Sequence, residues 1–266
     1  MMRGHRIKAV IVENLFYLRH SLEEITDTFF WPMMDMIIWG FTTRYFARLS
    51  SVGAMGMVIS FLLGALILWT IVWRAQQDIS VSFLRDVWSS NLLNLFASPL
   101  TAWEFLAGTM ILGLIKILAT LFLVAGIALV FYSFNLFSLG FYLLLFFGLL
   151  LWFAWIAGLF ITGLIVNLGM KIQAFAWSLV GLLNPLSCVF YPLSSLPSAL
   201  QKVAICLPTT HVFEGVRQVL AGSGGVGAHL VFAFLLNIFY SVLAILFFGA
   251  MFEKAREKGR LAKFEE

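Results

Sequence analysis

Two charged residues stand where charge is costly. Asp35 lies within the apolar run from Thr28 to Tyr45, and Lys116 lies midway along the run from Trp103 to Tyr132. An ionisable residue inside such a run faces a protein interior or a water-filled path, not lipid. Asp35 and Lys116 therefore read equally as part of a polar substrate path, as an ion pair with each other, or as a pin between two helices. The remaining reactive residues do not cluster. His5, His20, His211 and His229 are scattered, and Cys188 and Cys206 show no paired spacing and have no His at ligand distance. Neither a metal site nor a disulfide is expected from them. No GxxxxGK[ST] run exists to cradle phosphates. The Gly222-Ser223-Gly224-Gly225 run has no following Lys and reads as a linker. No Ser-His-Asp or HExxH pattern is present. A membrane-embedded lipid-modifying enzyme would need His, Asp or Glu gathered at one interface, and that reading stays a minor alternative.

The elements that hold these residues are set by composition. The chain has 266 residues, of which 62% are hydrophobic and 11% charged. A soluble domain is nearer half apolar and a quarter charged. The excess apolar surface calls for a lipid solvent, and 28 Phe and 9 Trp suit lipid-facing and interfacial positions. The net charge of +4 comes from basic residues beside apolar runs. That placement reflects membrane topology rather than nucleic-acid binding. The first residues, Met-Met-Arg-Gly-His-Arg, lack an apolar core, so a cleaved signal peptide is not expected.

The apolar runs are continuous rather than alternating, which selects helices over a barrel. Spanning takes about 20 residues. Residues 1–27 form an amphipathic interfacial helix, with Ile7, Val10, Ile11, Leu15, Leu18, Leu22 and Ile25 on one face. Spans one and two occupy 28–74, the second from Ser51 to Trp73. Residues 75–100 form a polar loop. Spans three to five occupy 101–192, turning at Ser133 to Asn135 and at Asn167 to Lys171. Residues 193–227 hold Pro197 and Pro208, just after Pro192, and read as two short helices in a re-entrant hairpin. Span six covers 228–252, and 253–266 is a basic tail. With the N-terminus inside, twelve of the 17 Lys and Arg residues fall on one side. Both termini are then cytoplasmic and the hairpin is outside. The expected fold is all-α integral membrane: six transmembrane helices, an N-terminal interfacial helix, a cytoplasmic coupling helix and an extracellular helical hairpin, in a single domain.

Within the polar loop, Leu84, Val87, Trp88, Leu92, Leu95 and Phe96 recur at helical spacing, and Pro99 ends the run. Arg85, Asp86, Ser89, Ser90 and Asn94 take the other face. Such a helix fits a groove on a cytoplasmic partner. Thr101 and Glu104 then form a capping box for the next helix.

The segment Ala97-Ser98-Pro99-Leu100-Thr101-Ala102-Trp103-Glu104-Phe105-Leu106-Ala107-Gly108 resembles the "tPlsrwEillG" segment of ABC-2 type transporter permeases. Tyr191-Pro192-Leu193-Ser194-Ser195-Leu196-Pro197, Leu207-Pro208-Thr209-Thr210-His211 and Glu214-Gly215-Val216-Arg217 resemble that family's Pro-rich outer segment. The resemblance covers nearly the whole chain. One departure is Trp88-Ser89-Ser90-Asn91, where many members carry a charged Glu-Arg-Gly-Thr run. The resemblance implies a non-catalytic permease that dimerises in the plasma membrane and docks a separate ATPase subunit through the helix at 83–98. ATP and magnesium would be bound by that subunit, and no cofactor by this chain. Pro192, Pro197, Pro208, Glu214 and Arg217 would belong to an outer gate. The cargo would be apolar, lipid-linked or a drug. A non-transporting membrane anchor is the other alternative.

Overall fold

The computed structural model describes residues 3–49, 55–89 and 98–257, and these are helical almost throughout. Helix α1 covers Gly4–His20. It stops at Ser21, whose backbone is extended and whose hydroxyl accepts from the Glu24 N–H to cap α2, Leu22–Ile25. The break therefore falls before residue 27, where the sequence analysis placed it. A wider π turn, Thr26–Phe30, leads into α3, Trp31–Leu49. Pro32 explains that turn. It has no N–H for the carbonyl four residues back. The freed Thr28 carbonyl instead accepts from the Thr120 hydroxyl at 3.2 Å.

Helix α4 runs unbroken over Met55–Trp88, about 51 Å at 1.5 Å per residue. The second span therefore does not end at Trp73, as expected from sequence, and no separate amphipathic helix begins near Phe83. Nothing between Arg74 and Trp88 is Gly or Pro, so the helix has no cause to stop. Its polar residues are covered by protein. Gln76, for example, donates to Ser80 Oγ at 2.7 Å and to the Ala176 carbonyl at 3.1 Å.

Helix α5, Ala102–Tyr132, begins with the capping box expected at Thr101 and Glu104. It ends at Ser133, which takes the left-handed conformation, φ 55°. A 3-10 turn, Leu136–Leu139, leads to α6, Phe141–Leu168. Helix α7, Gln173–Leu186, follows after the 3-10 turn Gly169–Ile172. The Pro-rich stretch folds into a 3-10 turn Leu193–Ser195, then α8, Ser198–Ala204, and α9, Pro208–Leu220. The two short helices expected there are present. Helix α10, Val226–Glu257, closes the described chain.

Among the described residues, four helices are long and apolar enough to cross a membrane: α4, α5, α6 and α10. Helices α3 and α7 do not meet that measure. Helix α7 has 14 residues, about 21 Å, against a hydrocarbon core of about 30 Å. It stops at Leu186, short of residue 192, where the fifth span was expected to end.

Helices α4 and α6 pack together along the centre, with α10 beyond α6 and α5 beyond α4. Helix α1 lies on α5. Gly108 permits that approach, since a Cβ there would meet the Val10 Cβ at 2.7 Å. Two apolar cores result. One, at the hairpin end, gathers Leu63, Ile67, Phe134, Phe146, Leu150, Phe213 and Val216. The other, at the α1 end, gathers Val10, Ile79, Phe83, Leu84, Phe105, Ile161 and Phe248. Helix α10 exposes Phe232, Leu235, Phe239, Val242 and Leu246. An apolar stripe of that extent marks a surface made for lipid or protein. Helix α1 likewise leaves Val12, Leu15 and Phe16 exposed while burying Val10 and Asn14.

Candidate functional site

The two charged residues singled out from the sequence lie in different places and do not pair. Lys116, on α5, sits in an ionic cluster with residues from three other elements. Its ammonium donates to Glu24 Oε1 at 2.8 Å and forms an ion pair with Asp78. Arg85 stands 3.8 Å from Glu24 and donates to the Asn14 carboxamide oxygen. The cluster thus ties α1 and α2 to α4 and α5. The described structure gives Lys116 to Glu24 and Asp78 rather than to Asp35. Glu24, Asp78, Arg85 and Asn14 were missed as a cluster, since reading 75–100 as a loop outside the membrane made Asp78 unremarkable.

Asp35 opens instead onto a cleft between α3, α4 and the end of α7. The cleft holds about 220 Å³ and is lined by Trp39, Trp69, Trp73, Arg74, Asn184 and Phe190, among others. Trp39 stacks on Phe190 with ring centroids 6.0 Å apart and planes 17° from parallel. Asp35 is exposed and makes no hydrogen bond or ion pair among the described residues. Arg74 is engaged elsewhere, donating to Asp27 Oδ2 at 2.6 Å. Trp69 and Trp73, four residues apart on one helix, are the sequence signal that could have located this site.

The sequence-predicted docking residues divide. Leu84 and Val87 are buried in the core at the α1 end and form no docking surface. Trp88 is 48% exposed at the tip of α4. Leu92, Leu95 and Phe96 lie outside the described residues. Pro99 is exposed, and its carbonyl accepts from Arg6. Nearby, Glu104 accepts from the Arg3 N–H at 2.8 Å as well as capping α5, so the α1 end is knitted to the start of α5.

The hairpin residues form a clasp. Arg217, on α9, donates to the carbonyls of Cys188 and Tyr191 and pairs with Glu214 at 2.8 Å. Its guanidinium lies 4.4 Å from the centroid of the Phe61 ring. Glu214 accepts from the Leu193 N–H at 2.7 Å. Pro192 and Pro197 flank the turn that precedes α8, and Pro208 opens α9, where its missing N–H has no intrahelical partner to lose.

A histidine pair joins the hairpin to α10. His211 Nε2 is 2.8 Å from the Ile205 carbonyl, which can only accept, so Nε2 carries the proton. His211 Nδ1 is then bare and accepts from His229 Nδ1 at 3.3 Å. Burial pushes the His211 pKa below its ordinary value, against partial compensation from the Ile205 carbonyl, and His229 and Glu214 are the ionisable groups that act on it. A depressed histidine pKa favours the neutral form in the fold. The stability it contributes is complete above the ordinary value of 6.5 and is lost as pH falls through the lower folded value. The melting temperature is expected to hold between pH 7 and 8 and to fall on acidification below about pH 6.5. In His211→Gln that fall is expected to flatten. Parallel melting curves for variant and parent over that range would remove His211 as the cause.

These features define a multi-pass helical membrane protein with no phosphate-binding loop of its own. A family model for ABC-2 type transporters matches residues 25–221, which includes the π turn, the aromatic cleft, the hairpin clasp and, of the ionic cluster, Asp78, Arg85 and Lys116. The chain belongs to the ABC-2 type transporter family. It is thus a transporter permease in the general sense, from a family whose members are typically non-catalytic transmembrane components. A comparison with curated proteins gives no match.

Proposed function

We propose that this chain is the permease subunit of an ATP-binding cassette exporter in the plasma membrane. Two copies form the pathway, and each docks a separate ATPase subunit. The chain crosses the membrane six times, with α3 and α7 completing the set, both termini cytoplasmic and the hairpin outside. The cargo is apolar, lipid-linked or a drug. One observation carries the reading. Asp35 presents a carboxylate at an aromatic cleft with no hydrogen bond or ion pair to a described residue. A charge so placed is costly in lipid, so it belongs to a path or an interface that covers it. The ionic cluster around Lys116 supports the reading from the other end. It makes α1, α2, α4 and α5 one unit, through which a push at the tip of α4 reaches the cleft, since α4 carries both. ATP binding then biases two arrangements of the spans by acting on that unit.

The test is purification of the tagged chain in mild detergent with its companions. A stoichiometric P-loop protein with ATPase activity is expected. Leu92→Glu with Leu95→Glu is expected to abolish its recovery while the melting temperature of the chain stays unchanged. Failure to recover an ATPase in several detergents would overturn the exporter assignment. Recovery of an ATPase whose rate never responds to added amphiphiles would favour the membrane-anchor alternative.

A further inference from the structure

We infer that the cleft between α3, α4 and α7 binds a quaternary ammonium or similarly compact lipophilic cation as the recognised part of the cargo. The inference rests on the permease reading and narrows its substrate class.

Shape supplies the first argument. A space of about 220 Å³ suits a small tetraalkylammonium group rather than a sugar chain. Its lining is rich in aromatic side chains. Trp39 and Phe190 stack, bridging α3 and the segment after α7. Trp69 and Trp73, one turn apart on α4, also line it.

Charge supplies the second. Aromatic faces carry the negative end of a quadrupole and attract cations, Trp most strongly. Asp35 adds a full negative charge with no hydrogen bond or ion pair to a described residue. The basic residue in the lining, Arg74, is already paired with Asp27 at 2.6 Å. Arg74 also acts on Asp35 through space, so the lining offers one carboxylate without a hydrogen bond or ion pair to a described residue, beside four aromatic side chains.

Ligand chemistry supplies the third. A tetraalkylammonium ion has no N–H to satisfy and carries its charge under an apolar skin, so aromatic walls and one carboxylate meet all its needs. A metal ion would need several oxygen ligands. Among the described residues, no group of three His, Cys, Asp or Glu side chains could hold one. An anion would face Asp35 and the ring faces together.

The same ammonium chemistry occurs on phosphocholine lipids and on free cationic amphiphiles. The experiment separates them. The intact protein is placed in nanodiscs of phosphatidylglycerol or of phosphatidylcholine and titrated with tetrapropylammonium, with binding read by calorimetry. Saturable binding is expected in phosphatidylglycerol discs. Asp35→Asn is expected to weaken it by about tenfold and Trp73→Leu by about fivefold, through loss of the charge and of a cation–π wall. Asp35→Glu is expected to keep binding within about threefold, which guards against a folding defect. Weaker apparent binding in phosphatidylcholine discs would assign the site to the lipid headgroup, and equal binding to a free cation. Unchanged affinity in Asp35→Asn, or no saturable binding to the parent, would overturn the inference. Because the titration uses no ATPase, its failure leaves the exporter reading standing. Loss of the ATPase partner, conversely, leaves the binding result intact.

Discussion

Lys116→Met is expected to destabilise the protein by about 3–5 kcal/mol, the usual cost of removing one partner from a buried ionic group. Lys116 is 9% exposed, and it stands between Glu24 and Asp78, which are 22% and 13% exposed. Taking the ammonium away leaves two carboxylates facing each other, with Arg85 reaching Glu24 at 3.8 Å. Asp78 has the poorer prospects, because its Oδ2 is buried with no hydrogen-bond partner among the described residues. A Cβ at Gly113 would lie 3.0 Å from that same atom, so the local packing leaves no room to turn away. The repair follows from the same physics. Replacing a buried pair with apolar side chains of similar volume is often neutral or better. Lys116→Met combined with Asp78→Leu should therefore regain most of the loss, with Glu24 kept by Arg85. Thermal unfolding in detergent checks both variants. Proteolysis near Ser21 should quicken in the single variant, because the Lys116 bond is the shorter of the two ionic contacts of Glu24 and ties α2 to α5. A single variant that melts like the parent would mean the cluster holds nothing. A double variant no better than the single would mean that size, not charge, sets the cost.

The ionic cluster also shows where sequence reasoning stops. The apolar runs of α5, α6 and α10 were legible because lipid imposes one rule on every exposed residue. The capping box at Thr101 and the turn at Ser133 were legible because their signals are local. The two short helices after Pro197 were legible from proline placement alone. Charges inside α4 were not, because the sequence cannot tell a polar residue facing water from one covered by another helix. Arg74, Gln76, Asp78 and Arg85 look like a loop, yet they are covered by α1, α2, α5 and α7. The same blindness suggested a pair between Asp35 and Lys116, two isolated charges of opposite sign. The acids that surround Lys116 come from the supposed interfacial helix and the supposed loop. The aromatic cleft needs three elements to be visible, and only the Trp69 and Trp73 spacing on α4 hints at it.

Arg217→Met is expected to open the hairpin end, with a loss of about 2–5 kcal/mol for an interior guanidinium that satisfies backbone carbonyls and pairs with a carboxylate. The side chain is 16% exposed and Glu214 is 17% exposed, so solvent offers little replacement. Its contacts reach three parts of the chain: the Cys188 and Tyr191 carbonyls after α7, Glu214 on α9, and the Phe61 ring on α4. Cys188 sits in the left-handed region at φ 53°, a conformation that non-glycine residues hold only where surrounding structure enforces it. Arg217 supplies part of that enforcement by gripping the Cys188 carbonyl. Lysine cannot substitute, because a single ammonium lacks the planar fork that serves two carbonyls while facing a carboxylate. Arg217→Lys should therefore lose most of what Arg217→Met loses. Glu214→Gln should lose less, since a carboxamide oxygen still accepts from the Leu193 N–H. The chain carries its own reporter. Cys188 is buried and Cys206 exposed, so a maleimide should label Cys206 quickly in every variant and Cys188 only when the clasp is open. Fast labelling of Cys188 in Arg217→Met and Arg217→Lys, with slow labelling in Glu214→Gln, is the expected pattern. If Cys188 stays protected in Arg217→Met while the melting temperature is unchanged, the guanidinium is not what holds α9 to the segment after α7. The hold on α9 would then have to be sought in the packing of Gly215 against Phe146, where a Cβ would come within 3.1 Å of the ring.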